Sequence, residues 1–153
     1  MAAALADGGG LVTLTLDTML WSDAVLAGWV ALGGGLGSAL RYAVDLAVSS
    51  RWRRTFPLAT FLINLSGSLA LGLLVGWWYA AGAGPDDPLL VALVGTGLLG
   101  GYTTFSTASL DAVRLARDGR LGMSLAYGVG TMLATVAAAA AGLWLGAGWA
   151  TVG

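Results

Sequence analysis

The sequence predicts an all-α membrane protein with four transmembrane helices, the third broken near its middle. Three observations carry this reading. The 153-residue chain is 58% apolar and only 10% charged, with a mean hydropathy of +0.83, too apolar for a soluble domain. Its apolar residues fall into four runs, about 23–48, 57–80, 89–112 and 121–149, each long enough to cross a hydrocarbon core of about 30 Å. The third run alone crowds glycines and hydroxyls into its middle, GTGLLGGYTTFST from Gly95 to Thr107. In lipid a helix can come apart only where protein or a hydrated cavity satisfies the freed backbone groups, so this stretch is the expected functional centre.

Composition narrows the chemistry. The chain has no Cys and no His, which excludes thiol nucleophiles, imidazole bases and the usual zinc ligands. All seven basic residues are Arg and all eight acidic residues are Asp. Without Cys, His or Glu, a Ser with an Arg or Asp partner is the one nucleophile–base pair left, and an enzyme is not expected. A net charge of −1 supplies no basic face for a nucleic acid. No basic residue precedes Arg41, so the start does not read as a secretory signal and is expected to be retained.

Residues 1–21 read as a poorly ordered tail, although the Leu/Thr alternation from Leu11 to Leu16 also fits a strand or an interfacial segment. Residues 22–150 form one domain, with Ser22 or Asp23 as N-cap of the first span. Arg41 and Asp45 are spaced i,i+4 near its far end. They fit either a helix-side ion pair at the membrane interface or an arginine serving an anion vestibule. Pro57 suits the first turn of the second span. There Thr60, Asn64 and Ser68 recur every four residues and share a face. A buried amide is costly against lipid, so this face should point into protein or a pore; interhelical hydrogen bonding without transport is the plainer account of Asn64.

The third span breaks at Gly100 to Thr104, where glycine would permit backbone angles closed to other residues. On the fourth, Ser124, Tyr127, Thr131 and Thr135 form a hydroxyl stripe. Hydroxyls can also satisfy themselves on their own helix. GxxxG pairs at Gly33/Gly37, Gly72/Gly76, Gly97/Gly101 and Gly142/Gly146 give each span a close-packing face. Gly95 to Gly100 also satisfies GxGxxG, but no strand precedes it, and dinucleotide binding is rejected.

The run Gly100-Gly101-Tyr102-Thr103-Thr104-Phe105-Ser106-Thr107 followed by Asp111 resembles the broken third helix of the CrcB/Fluc fluoride channel family. Gly33 to Tyr42, Pro57 to Gly67, and Tyr127, Thr131 and Thr135 are similar to that family's other segments, in family order. The resemblance implies a channel subunit for passive efflux of cytoplasmic fluoride through the plasma membrane. It places Asn64, Phe105, Ser106, Thr107, Tyr127, Thr131 and Thr135 on the fluoride path and Arg41 in its vestibule. It implies an antiparallel dimer with a structural sodium ion at its centre, held by the backbone carbonyls of Gly100 and Thr103. The sequence departs from the family at Ala108, where a second phenylalanine is usual, and at Asp111, where Glu is usual. A four-helix transporter of another specificity and a structural membrane subunit are the rival readings. The first, as a drug/proton antiporter, needs a membrane-embedded Glu, and the second leaves the TTFST run without a reason.

Charge gives an orientation independently of family. Arg41, Arg51, Arg53, Arg54, Arg114, Arg117 and Arg120 all flank the first and third loops, while Asp7, Asp17, Asp23, Asp86 and Asp87 occupy the other side. Basic residues in short loops stay cytoplasmic, which predicts both termini outside. A homodimer inserted both ways needs a balanced count, so an antiparallel dimer of this chain is expected to be a heterodimer with an oppositely oriented homologue.

Overall fold

The computed structural model describes residues 6–52, 55–82 and 88–150, with side chains described within 22–148. Arg53 and Arg54, the acidic turn at 83–87 and both extreme ends of the chain lie outside the described residues. Helix α1 runs Ala6–Arg51, α2 Leu58–Ala80, and α5 Leu121–Ala150. The third span has two pieces: α3, made of Pro88–Leu90, Val91–Leu99 and Gly100–Tyr102, and α4, Phe105–Arg117. Four helical stretches, Ser22–Ser49, Leu58–Ala80, Pro88–Arg117 and Leu121–Gly148, are long and apolar enough to span a membrane.

Helix α1 differs from expectation at its start. It is continuous from Ala6 over 46 residues, about 69 Å at 1.5 Å per residue. The stretch from Leu11 to Leu16 is therefore helix and not strand, and the N-cap expected at Ser22 or Asp23 is not used. No proline precedes Pro57, and nothing in the sequence forces a stop between the tail and the span.

The helices associate as two pairs, α2 with α5 and α1 with α3, and the GxxxG residues account for both. A Cβ on Gly72 would run into Ala139 O and Leu143 N, and one on Gly76 into Leu143 O and Ala147 N. In return Gly142 sits over Leu69 O and Leu73 N, and Gly146 over Leu73 O and Trp77 N. Backbone meets backbone, as small residues permit. In the other pair Gly33 lies over Leu93 O and Leu98 N, Gly37 over Leu98 O and Tyr102 N, and Gly101 against Gly34.

Two glycines are needed for their dihedral angles. Gly82 (φ 64°) and Gly119 (φ 75°) follow the ends of α2 and α4. At the second, Gly119 N–H donates to Ala116 O (3.0 Å) and Arg120 N–H to Leu115 O (2.9 Å), the Schellman arrangement that needs a left-handed residue.

The break is narrower than the sequence suggests. Gly100–Tyr102 is helical, and helical bonding reaches Thr103, whose N–H donates to Leu99 O at 3.0 Å. Only Thr103 (φ −74°, ψ 160°) and Thr104 (φ −153°, ψ 116°) are extended. The expectation that Gly100 and Gly101 supply unusual angles is therefore corrected, whereas the close-packing reading of Gly97/Gly101 agrees with the structure, since α1 passes against both. Before the break, Val91–Leu99 is a wide π-type helix of nine residues, a form that is usually limited to one turn.

Candidate anion path

The extended pair is held from α2. Asn64, 8% exposed, donates from Nδ2 to Thr104 O (2.9 Å) and accepts Thr104 N–H on Oδ1 (2.7 Å). Both ends of one carboxamide bond to one residue's backbone, so Asn64 does make an interhelical hydrogen-bond pair, with one Nδ2 hydrogen left over. Thr104 in turn caps α4: its Oγ1 accepts Thr107 N–H at 3.2 Å and lies 3.2 Å from Ser106 Oγ and 3.0 Å from Thr107 Oγ1. Beneath the break, a Cβ on Gly67 would collide with Thr103 Cγ2. That glycine makes the room in which Thr103 turns.

This bonding alters the carbonyls of the break. In a continuous helix Gly100 O would receive Thr104 N–H, and Thr103 O would receive Thr107 N–H. Those amides go to Asn64 Oδ1 and Thr104 Oγ1 instead. Other carbonyls nearby are occupied: Leu99 O accepts Thr103 N–H and Oγ1–H, Gly101 O accepts Ser38 Oγ–H at 3.4 Å, and Thr104 O accepts Asn64.

A second polar cluster lies nearer the arginine-bearing loops. Thr60 Oγ1 donates to Asp111 Oδ2 at 2.8 Å, and Asp111 Oδ1 pairs with Arg114 at 3.4 Å. Tyr127 is 1% exposed, packs edge-on to Phe56 at 5.5 Å, and faces Thr60 and Asp111. Among the described residues, the buried Tyr127 hydroxyl and Thr131 Oγ1 have no hydrogen-bond partner. A buried hydroxyl left without a partner calls for a water or an ion.

Three cavities adjoin these groups. The largest, about 520 Å³, is lined by Asn64, Thr104, Phe105, Ala108, Thr131 and Thr135 among others. One of about 400 Å³ opens beside Trp52 and Phe56 and is lined by Asp45, Thr60, Thr107, Asp111 and Arg114. A third, about 240 Å³, shares Thr60 and Thr107 with the second and Thr104 with the first, and Ser38, Arg41 and Tyr42 border it.

The sequence-predicted residues are thus mostly brought together. Asn64, Phe105, Thr131 and Thr135 face one cavity, and Arg41 and Thr107 border the smallest of the three. Tyr127 lines none of the three, being enclosed between Thr60 and Phe56. Ser106 is exposed and bonded to Thr104. Thr135 gives its hydroxyl to Met132 O on its own helix at 2.9 Å. The Arg41–Asp45 ion pair does not form: Asp45 accepts Ser49 Oγ–H at 3.3 Å, and Arg114–Asp111 is the one ion pair among the described residues. Both side chains border the same cavity, beside Thr60 and Thr107, without closing to ion-pair distance. Sequence reasoning leaves Thr60, Thr104 and Asp111 out of the site. A signal for two of them exists, in the four-residue step from Thr60 to Asn64 and in an acid within an apolar run.

Comparison with known proteins gives a consistent result. The family described as "CrcB-like protein, Camphor Resistance (CrcB)" matches residues 28–143. The chain is 46% identical over 117 residues to fluoride-specific ion channel FluC 1 of Leifsonia xyli subsp. xyli, covering 76% of this chain and 83% of that protein. It is 47% identical over 111 residues to FluC of a Methylobacterium species (72% and 87%), and 43% identical over 117 residues to FluC 2 of Yersinia pseudotuberculosis (76% and 93%).

Proposed function

Because the chain belongs to the CrcB family, we propose that it is a subunit of a fluoride-selective channel that lets cytoplasmic fluoride drain outward. Its work is permeation and not catalysis. The observation that carries the reading is the wall of the 520 Å³ cavity, where Asn64, Phe105 and the unpartnered Thr131 hydroxyl meet within a membrane-spanning bundle. Fluoride is small and strongly hydrated, so its water must be replaced by hydrogen-bond donors. Thr131 offers a hydroxyl with no hydrogen-bond partner among the described residues, and Asn64 Nδ2 keeps one of its two hydrogens beyond that given to Thr104. Aromatic edges carry partial positive charge and can also face an anion. The Phe105 ring is 87% exposed, which suits a wall completed by a second subunit.

The dimer is read as antiparallel, with both termini of this chain outside. The one-sided arginines favour a heterodimer, whose partner would supply the aromatic edge that Ala108 lacks. The break suits a structural sodium ion at the dimer centre. Gly100 and Thr103 would hold it through the two carbonyls whose amides are engaged elsewhere. The testing experiment is fluoride efflux from liposomes, first with this chain alone and then with a homologue from the same genome. Fluoride efflux only with both chains is the expected result. Efflux with neither overturns the channel reading, and full efflux with this chain alone overturns the heterodimer.

A further inference from the structure

Asn64 stands in the wall of the largest cavity, yet both ends of its carboxamide are bonded to Thr104. Thr104, 7% exposed, takes no place in the hydroxyl stripe of α5. Its backbone is held by Asn64 and its hydroxyl holds Thr107 N–H. Building on the sodium-containing channel reading, we propose that Asn64 and Thr104 are positioning residues that create the cation site by diverting amides: Asn64 takes the N–H otherwise due to Gly100 O, and the Thr104 hydroxyl takes the N–H otherwise due to Thr103 O.

Two acceptors compete for each amide. A peptide N–H in a helix has one good acceptor, the carbonyl four residues back, and a carbonyl so engaged is a poorer cation ligand. An extended Thr104 removes its amide from that geometry, but burial without a partner would be costly. Asn64 Oδ1 at 2.7 Å meets that need, and Nδ2 at 2.9 Å fixes the peptide from the other side. The same logic holds one turn on, where an N-cap hydroxyl is the ordinary partner for an amide of the first turn. The anion wall and the cation site therefore share one side chain, and a change at Asn64 reaches both.

The test reads sodium binding apart from transport. Purified channel, this chain assembled with its homologue, is unfolded by heat in sodium chloride titrated against N-methylglucamine chloride, and fluoride efflux is measured in parallel. Wild type is expected to gain stability with sodium. Asn64→Leu and Thr104→Val should each raise the sodium concentration for half-maximal stabilisation by about tenfold, since each removes the acceptor that keeps one amide off its helical carbonyl and so favours re-formation of the helix over the break. Thr104→Ser keeps the hydroxyl and should stay within about threefold of wild type. If Asn64→Leu does not fold, the Thr104→Val and Thr104→Ser pair decides alone. Equal sodium dependence in wild type and Thr104→Val overturns the inference while leaving the channel reading intact. Efflux without any sodium stabilisation of wild type overturns the sodium site and the inference with it, and absence of efflux from wild type assembled with its homologue overturns the channel reading.

Discussion

The two helix pairs of this bundle use the same docking device to different ends. Between α2 and α5, Gly72 and Gly76 nest over Ala139, Leu143 and Ala147, steps of four residues on a regular helix, and the partner glycines return the contact at Leu69, Leu73 and Trp77. Between α1 and α3, Gly33 and Gly37 nest over Leu93, Leu98 and Tyr102, a step of five and then four. The extra residue is the wide turn of Val91–Leu99. Docking by small residues fixes where two backbones meet, and one residue inserted on one side re-registers the chain beyond it. Thr103 and Thr104 are the residues so re-registered. The regular pair acts as scaffold and carries Asn64 and the hydroxyl stripe, while the irregular pair delivers the broken backbone to them.

The largest effect should come from striking the scaffold. In Gly72→Ala/Gly142→Ala, each added methyl meets backbone atoms that cannot rotate away. Overpacking costs about 1–3 kcal/mol per site, and two such sites approach the whole stability of a small domain. The double variant should give little folded protein by size-exclusion chromatography. A monodisperse protein with unchanged thermal stability would show that the α2–α5 contact is looser than this backbone-on-backbone nesting implies.

Much of the architecture is legible in the sequence, and the illegible remainder has a common cause. The four spans follow from runs of apolar residues, and the polar faces of α2 and α5 from steps of three or four, all local patterns. The wide turn is set by the register of α3 on α1, so no residue between Val91 and Leu99 announces it. Gly101 carries two readings, a packing contact and a backbone break, because sequence does not distinguish a glycine needed for its dihedral angles from one needed for its missing Cβ. Thr104 escapes a local reading because its partner Asn64 is 40 residues away. Asp45 likewise turns to Ser49 instead of Arg41, a choice between two neighbours at the same spacing.

The second prediction probes the irregular pair. Gly101→Ala would press a methyl on Gly34 O and Cα, next to the break and far from the scaffold. The protein should stay folded, at a cost of about 1–3 kcal/mol, while fluoride efflux falls about tenfold or more because Thr103 and Thr104 shift against Asn64. Efflux retained at the wild-type rate would mean that the position of α3 on α1 does not govern the path.

The smallest effects separate two hydroxyls of one stripe, four residues apart on α5. Thr131 Oγ1 is buried without a partner among the described residues, and Thr135 Oγ1 is bonded to Met132 O. Valine has nearly the shape of threonine, so either change tests the hydroxyl and little else. At Thr131 the fold gives up no hydrogen bond among the described residues, and removing an unsatisfied buried oxygen should leave thermal stability equal or slightly raised. Efflux should nevertheless fall about tenfold, because the lost group is one that an anion can use. At Thr135 the lost bond lies within one turn of helix and competes with the helix's own bonding. Efflux there should change less than about threefold. The order of the two is the informative quantity: a larger loss at Thr135 than at Thr131 would mean that the Thr135 hydroxyl leaves Met132 for the anion, and that the path runs closer to Ser68 and Met132 than to Asn64 and Tyr127.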